Sequence, residues 1–188
     1  MSGDHLTRVG ILLSGRGSNM RALVEQASGY EVVLVASDKP DAAGLAWAIR
    51  RNLPSFTGNA KALGRAGWEE QLEGALDACE VEVIALAGYM RLLSDSFVAR
   101  WRGRILNIHP SLLPAYKGLN THARALAADD AEAGCSVHLV TEELDGGAVL
   151  GQACVPVLAG DTPETLAARV LVEEHRLYPR VLAEFCSR

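Results

Sequence analysis

No apolar run in this 188-residue chain approaches the roughly 18 residues a membrane-spanning helix needs. Residues 1–8 hold no hydrophobic stretch, which argues against a secretory leader. Basic charge is not in surplus. There are 18 Lys and Arg against 23 Asp and Glu, for a net charge of −5, and no basic stripe. A nucleic-acid surface is therefore not expected. Cysteine is scarce as well. Cys79, Cys135, Cys154 and Cys186 stand at least 19 residues apart, so there is no CxxC pair for zinc or redox chemistry. Such sparse thiols fit a reduced, cytoplasmic chain. His109, His122, His138 and His175 are too scattered to read as a ligand set, so no metal is expected.

What is present is ordinary for a globular domain: 49% hydrophobic and 22% charged residues. Residues 1–188 read as one domain, long enough to bury a core without staples. An acidic chain mildly repels anions. An anionic ligand would have to be captured locally, by backbone amides and a few cations.

Buried-type strands alternate with helical patterns. Val9–Leu13, Val32–Ala36, Pro54–Phe56, Val81–Ala87 and Ile105–Ile108 read as strands. Asn19–Ala27, Ala42–Arg51, Gly64–Ala78, Ser94–Trp101 and Thr121–Ala128 read as helices. This order predicts an α/β, Rossmann-like fold: a mostly parallel, twisted sheet with helices on both faces. Cys135–Val140 and Val149–Val157, joined by a turn at 142–147, predict an antiparallel pair added to one edge. A last helix opens at Thr162-Pro163-Glu164 and runs to about Phe185. Glu174 falls on its apolar stripe of Leu166, Val170, Leu177 and Val181, and Pro179 should kink it or end its regular part.

Ligands on such sheets sit beyond the carboxyl ends of the strands. One loop there is Ser14-Gly15-Arg16-Gly17-Ser18-Asn19, between a strand and a helix. Its glycines permit a tight turn, and free amides at a helix start attract a phosphate, with Ser18 and Asn19 as further donors. A plain glycine turn with a helix cap accounts for the same residues. So, less fully, does a dinucleotide fingerprint. Asp38 ends the second strand, where a ribose-binding acid would sit, but Met20 occupies the place of the third glycine.

A second loop begins at Asn107-Ile108-His109-Pro110. Asn107 and His109 share one strand face, about 6.6 Å apart along the chain. Pro110 and Pro114 stiffen the loop. An amide donor beside a proton donor suits an oxyanion, although a strand end with a satisfied histidine is the alternative. The acidic turn Glu142-Glu143-Leu144-Asp145-Gly146-Gly147 is bland alone; near a histidine, a carboxylate would orient the ring and hold its charge. His138 alternates opposite to Val137 and Leu139 and so can face the same cleft, although a packed core histidine is the simpler reading. No nucleophile elbow is present, so a covalent acyl-enzyme is not expected.

Four segments then occur in order: Gly15 to Asn19, Leu86-Ala87-Gly88-Tyr89-Met90-Arg91-Leu92-Leu93, Asn107 to Pro114, and Leu144 to Gly147. Together they resemble the phosphoribosylglycinamide formyltransferases over nearly the whole chain. The resemblance implies the formyltransferase fold as a single domain, with nucleotide and phosphate binding in the N-terminal half and folate binding in the C-terminal half. It implies formyl transfer from 10-formyltetrahydrofolate, the co-substrate, to an amine of a ribonucleotide in purine synthesis, with no metal required. Asn107, His109 and Asp145 match the family's catalytic trio. Gly17, Ser18, Asn19 and Glu174 match its ribonucleotide site. Arg65, Met90, Arg91, Leu92, Leu93, Asn107, Thr141, Glu142, Glu143, Leu144 and Asp145 match its folate pocket. The implied partners are small molecules, with no nucleic acid or membrane; the implied protein is a cytoplasmic monomer or homodimer. One departure is Asn120, where many members carry histidine.

Relatives with the same trio are less compatible. A transfer-RNA formyltransferase needs a further RNA-binding domain. A formyltetrahydrofolate hydrolase is expected to carry an N-terminal regulatory domain and His-His in place of His109-Pro110. A sugar-nucleotide formyltransferase stays open on fold grounds. A nicotinamide oxidoreductase and a non-catalytic nucleotide-binding module are the remaining alternatives.

Overall fold

A computed structural model describes residues 5–188 of the chain; residues 1–4, half of the N-terminal stretch that argues against a leader, lie outside the described residues. Among the described residues seven strands form one sheet: β1 (Thr7–Leu13), β2 (Tyr30–Ser37), β3 (Ser55–Thr57), β4 (Val83–Leu86), β5 (Ile105–His109), β6 (Glu132–Leu139) and β7 (Val149–Pro156). Their spatial order is β3-β2-β1-β4-β5-β6-β7. The first five run parallel; β6 pairs antiparallel with β5, and β7 with β6. The expected Rossmann-like sheet with an antiparallel edge pair is what forms. Strand order reverses between β1 and β4, which opens a crevice at their carboxyl ends.

The helices are α1 (Ser18–Glu25), α2 (Ala43–Arg50), α3 (Ala60–Ala78), α4 (Asp95–Arg100), α5 (Thr121–Ala127) and α6 (Pro163–Cys186). Side chains alternate across a strand, so each central strand feeds two cores. Val9, Ile11 and Leu13 of β1, with Val83 and Ala85 of β4, pack beneath α1, α2 and α6. Leu12, Ile84 and Leu86 face Trp68, Leu72 and Leu76 of α3 and Phe97 of α4. Both faces are covered, which is why these strands read as unbroken apolar runs.

Three local findings refine the sequence reading. Gly64 breaks α3 with φ 72° and ψ 179°, so the regular helix follows it, as its apolar spacing indicates. A single earlier turn is capped by Asn59, whose Oδ1 accepts from the Ala62 amide at 3.1 Å. Pro179 does not end α6, which continues to Cys186. A proline has no N–H for the carbonyl four residues back, that of His175. The His175 carbonyl instead accepts from Gln26 Nε2 at 3.0 Å. One turn after Glu174, the fully buried Tyr178 hydroxyl lies 3.1 Å from the Leu86 carbonyl and 3.0 Å from that of Leu106. It thereby ties the last residue of β4 to the second residue of β5.

Candidate active site

The glycine loop closes α1 at its start. Gly17 is the N-cap at φ 74°, in the left-handed region, and no side chain caps the helix. The first-turn amides are thus left for a ligand. A Cβ on Gly17 would lie 2.7 Å from the Cα of Gly44, so α2 packs directly against the loop. The Gly44 amide also donates to the Gly15 carbonyl at 3.0 Å.

Asn19, in the first turn of α1, is bonded to α6. Its Nδ2 donates to Glu174 Oε2 at 2.7 Å, which fixes one of its two N–H groups and leaves the second available. Its Oδ1 is buried without a partner. Glu174 is also buried, and burial pushes its carboxyl up, opposed by the Asn19 hydrogen bond and by His109. The carboxylate on the apolar stripe of α6 therefore belongs to the crevice, and residues from opposite ends of the chain meet there.

The β5–β6 register sets Asn107 opposite His138 and His109 opposite Ser136, on one face of the sheet. His138 is 2% exposed, but its ring is not merely packed. Its Nδ1 faces the Leu139 carbonyl at 2.9 Å, an acceptor, which assigns the proton to that nitrogen. Burial pushes its pKa down, so the ring is neutral near pH 7 and Nε2 is an acceptor. Asn107 Nδ2 donates to it at 3.2 Å. One Asn107 N–H is thereby fixed and the second stays available.

The β6–β7 loop folds back over these side chains. Asp145 takes φ 48°, a left-handed conformation that an aspartate tolerates. Its Oδ2 accepts from the Gly118 amide at 2.9 Å. The carboxylate then sits 3.5 Å from His109 Nδ1 and 3.5 Å from His138 Nε2. On the other side of its ring, His109 Nε2 is 3.0 Å from the Tyr116 carbonyl. Tyr116 has φ 54°, costly for a bulky residue. Its ring is pinned from two sides, by a 2.5 Å hydrogen bond from its hydroxyl to Asp130 and by the Arg124 guanidinium 5.1 Å from the ring centroid. Both nitrogens of His109 thus face acceptors.

Met90, Leu92 and Leu144 are large apolar side chains with exposures of 71%, 63% and 54%. The turn at 141–147 is held from outside: Glu142 pairs with Arg102 at 2.6 Å and Glu143 with Lys117 at 2.7 Å. Thr141 Oγ1 donates to the Glu143 carbonyl at 3.2 Å. The two glutamates thus spend their carboxylates on cations, leaving backbone groups for a ligand. Arg65 is not brought to the trio. It lines a groove between α3 and α4 with Glu69, Glu70, Glu73 and Ser94. Among the described residues no group of three or more His, Cys, Asp and Glu is placed to hold a metal, and no helix is long and apolar enough to cross a membrane.

His138 is the residue that sequence reasoning ranks first as a core histidine and second as a cleft residue; its bond with Asn107 favours the second. Its alternation with Val137 and Leu139 was the available signal; the register that sets it against Asn107 was not legible.

Residues 7–182 match the formyl transferase family profile. The chain is 44% identical over 182 residues to the phosphoribosylglycinamide formyltransferase of Escherichia coli, covering 94% of this chain and 86% of that protein. It is 45% identical to the trifunctional purine biosynthetic protein adenosine-3 of Drosophila pseudoobscura, covering 96% of this chain but only 14% of that longer protein. Among solved structures, the phosphoribosylglycinamide formyltransferase of Brucella melitensis superposes with a TM-score of 0.92 at 52% identity, covering 98% of this chain and 97% of that one.

Proposed function

The chain belongs to the formyl transferase family, and on that premise we propose that it moves a formyl group from 10-formyltetrahydrofolate to the amine of 5'-phosphoribosylglycinamide, a cytoplasmic step of purine biosynthesis. The observation that carries this reading is His109, held between the Tyr116 carbonyl and Asp145 on the same strand face as Asn107. Two donors on one strand face suit an atom on which negative charge develops.

The amine attacks the formyl carbon directly. As the new C–N bond forms, the carbonyl electrons move to oxygen. The oxyanion receives the second Asn107 N–H and the imidazolium. With Nε2–H committed to Tyr116, the Nδ1 edge acts. Collapse of the intermediate breaks the bond to the folate nitrogen, which takes a proton from His109. The amine's proton leaves through water to Asp145. The carboxylate thus has three tasks: it orients His109, balances its charge and receives the relayed proton.

The ribonucleotide phosphate occupies the amides of Gly17, Ser18 and Asn19, and Glu174 meets the ribose. The flat apolar part of the folate lies against Met90, Leu92, Leu93 and Leu144, with backbone groups of Arg91 and Thr141 to Glu143 beside it. Arg65 meets the distal carboxylate of the folate. Two of the three acids in its groove are engaged elsewhere, Glu69 by the Ser94 amide at 2.8 Å and Glu73 by Arg100 at 2.8 Å, while Glu70 keeps its charge.

The test is the rate of tetrahydrofolate formation from 10-formyltetrahydrofolate with and without the ribonucleotide. Product only when both are present supports the reading. An equal rate without ribonucleotide makes water the acceptor and overturns it.

A further inference from the structure

Asp38, the feature that kept a dinucleotide site under consideration, is turned inward and has a different partner. It is 6% exposed and Ser14 is 4% exposed. The Ser14 hydroxyl donates to Asp38 Oδ1 at 2.6 Å. With its proton committed to a carboxylate, the hydroxyl oxygen is oriented to accept, and the Met90 amide donates to it at 2.8 Å. Backbone completes the join: the Ser14 amide donates to the Gly88 carbonyl at 3.1 Å. The chain Met90 N–H, Ser14 Oγ–H, Asp38 carboxylate thus crosses the crevice between β1 and β4. It ends on the loop that carries Met90 and Leu92.

We propose that Ser14 and Asp38 are positioning residues for the folate side of the site, although both lie beside the phosphate loop. The inference rests on the assignment of Met90 to Leu93 to the folate pocket. Its selectivity comes from how each loop is held. The phosphate loop has supports of its own: the Gly44 amide on the Gly15 carbonyl at 3.0 Å, the Arg21 amide on the Gly17 carbonyl at 2.9 Å, and the Gly17–Gly44 packing. The Met90 amide has Ser14 Oγ. Losing the Ser14–Asp38 pair loosens the Met90 amide, although the Gly88 carbonyl and Tyr89 keep their own bonds, and leaves the phosphate cradle in place.

The experiment compares Ser14→Ala, Asp38→Ala and Asp38→Asn with the unmodified enzyme. Ser14→Ala and Asp38→Ala are expected to raise KM for 10-formyltetrahydrofolate about tenfold, with the ribonucleotide KM within about twofold. Asp38→Asn keeps an acceptor oxygen for the serine proton and is expected to stay within about twofold on both. Equal rises for both substrates, or an asparagine variant as impaired as the alanine one, overturns the proposal. Amide exchange gives a readout that needs no turnover and no variant. In the unmodified protein, Met90 should exchange at least about tenfold more slowly than its neighbour Arg91. In Asp38→Ala that protection should fall. Equal exchange of Met90 and Arg91 in the unmodified protein overturns the proposal. A protein inert with both substrates would sink the proposed reaction instead, and Met90 exchange would still decide whether the pair holds the loop.

Discussion

His109→Asn is expected to lower kcat by about 10³-fold while leaving both KM values within about threefold. Asparagine is small enough for the space and can still donate one hydrogen bond toward an oxyanion. It cannot carry a positive charge or surrender a proton to the departing folate nitrogen. Those two contributions arise only as the carbonyl becomes an oxyanion and the leaving group departs, so the loss should fall on kcat. Steady-state kinetics with each substrate varied in turn separates the terms. A large rise in either KM with kcat preserved would make His109 a binding residue and remove the centre of the mechanism.

Asp145→Asn is expected to lower kcat by about 10²- to 10³-fold, with folate affinity nearly unchanged. An asparagine oxygen can still accept from the Gly118 amide, which now holds Asp145 Oδ2 at 2.9 Å, so the turn should keep its shape. What disappears is the negative charge 3.5 Å from His109 Nδ1 and the acceptor for the relayed proton. Without that charge, both the imidazolium and the proton's exit are disfavoured. The check is kcat against the dissociation constant of a non-transferring folate analogue. Equal losses in rate and affinity would assign Asp145 to binding alone.

Much of this site is legible in the sequence, and the reason is local. Asn107 and His109 sit two residues apart on a strand, so period-two geometry alone puts them on one face. Gly15 to Asn19 lies between strand and helix, where backbone amides collect. Glu174 announces itself by breaking an apolar stripe. The illegible part depends on contacts distant in sequence. The Asn107–His138 pairing is set by antiparallel register, and a one-residue slip would have turned His138 to the other side. The Tyr116 carbonyl reaches His109 only because a tyrosine is pinned in a left-handed conformation by Asp130 and Arg124. Asp38 carries a real signal with a different meaning. Its position at a strand end suggests ribose binding, whereas burial directs it to Ser14. Pro179 illustrates the same limit: the residue that spares the helix an unpaired carbonyl is Gln26, on the far side of the chain.

The central claim is that the formyl group passes straight from folate to amine, with Asn107, His109 and Asp145 acting on charge and protons only. A rapid-quench single turnover with formyl-labelled 10-formyltetrahydrofolate and excess enzyme tests it most directly. The expected result is label in the folate at early times and in the ribonucleotide at late times, with none on acid-precipitated protein at any point. Label that appears on the protein and then chases into the ribonucleotide would contradict the claim and demand a nucleophile in the crevice.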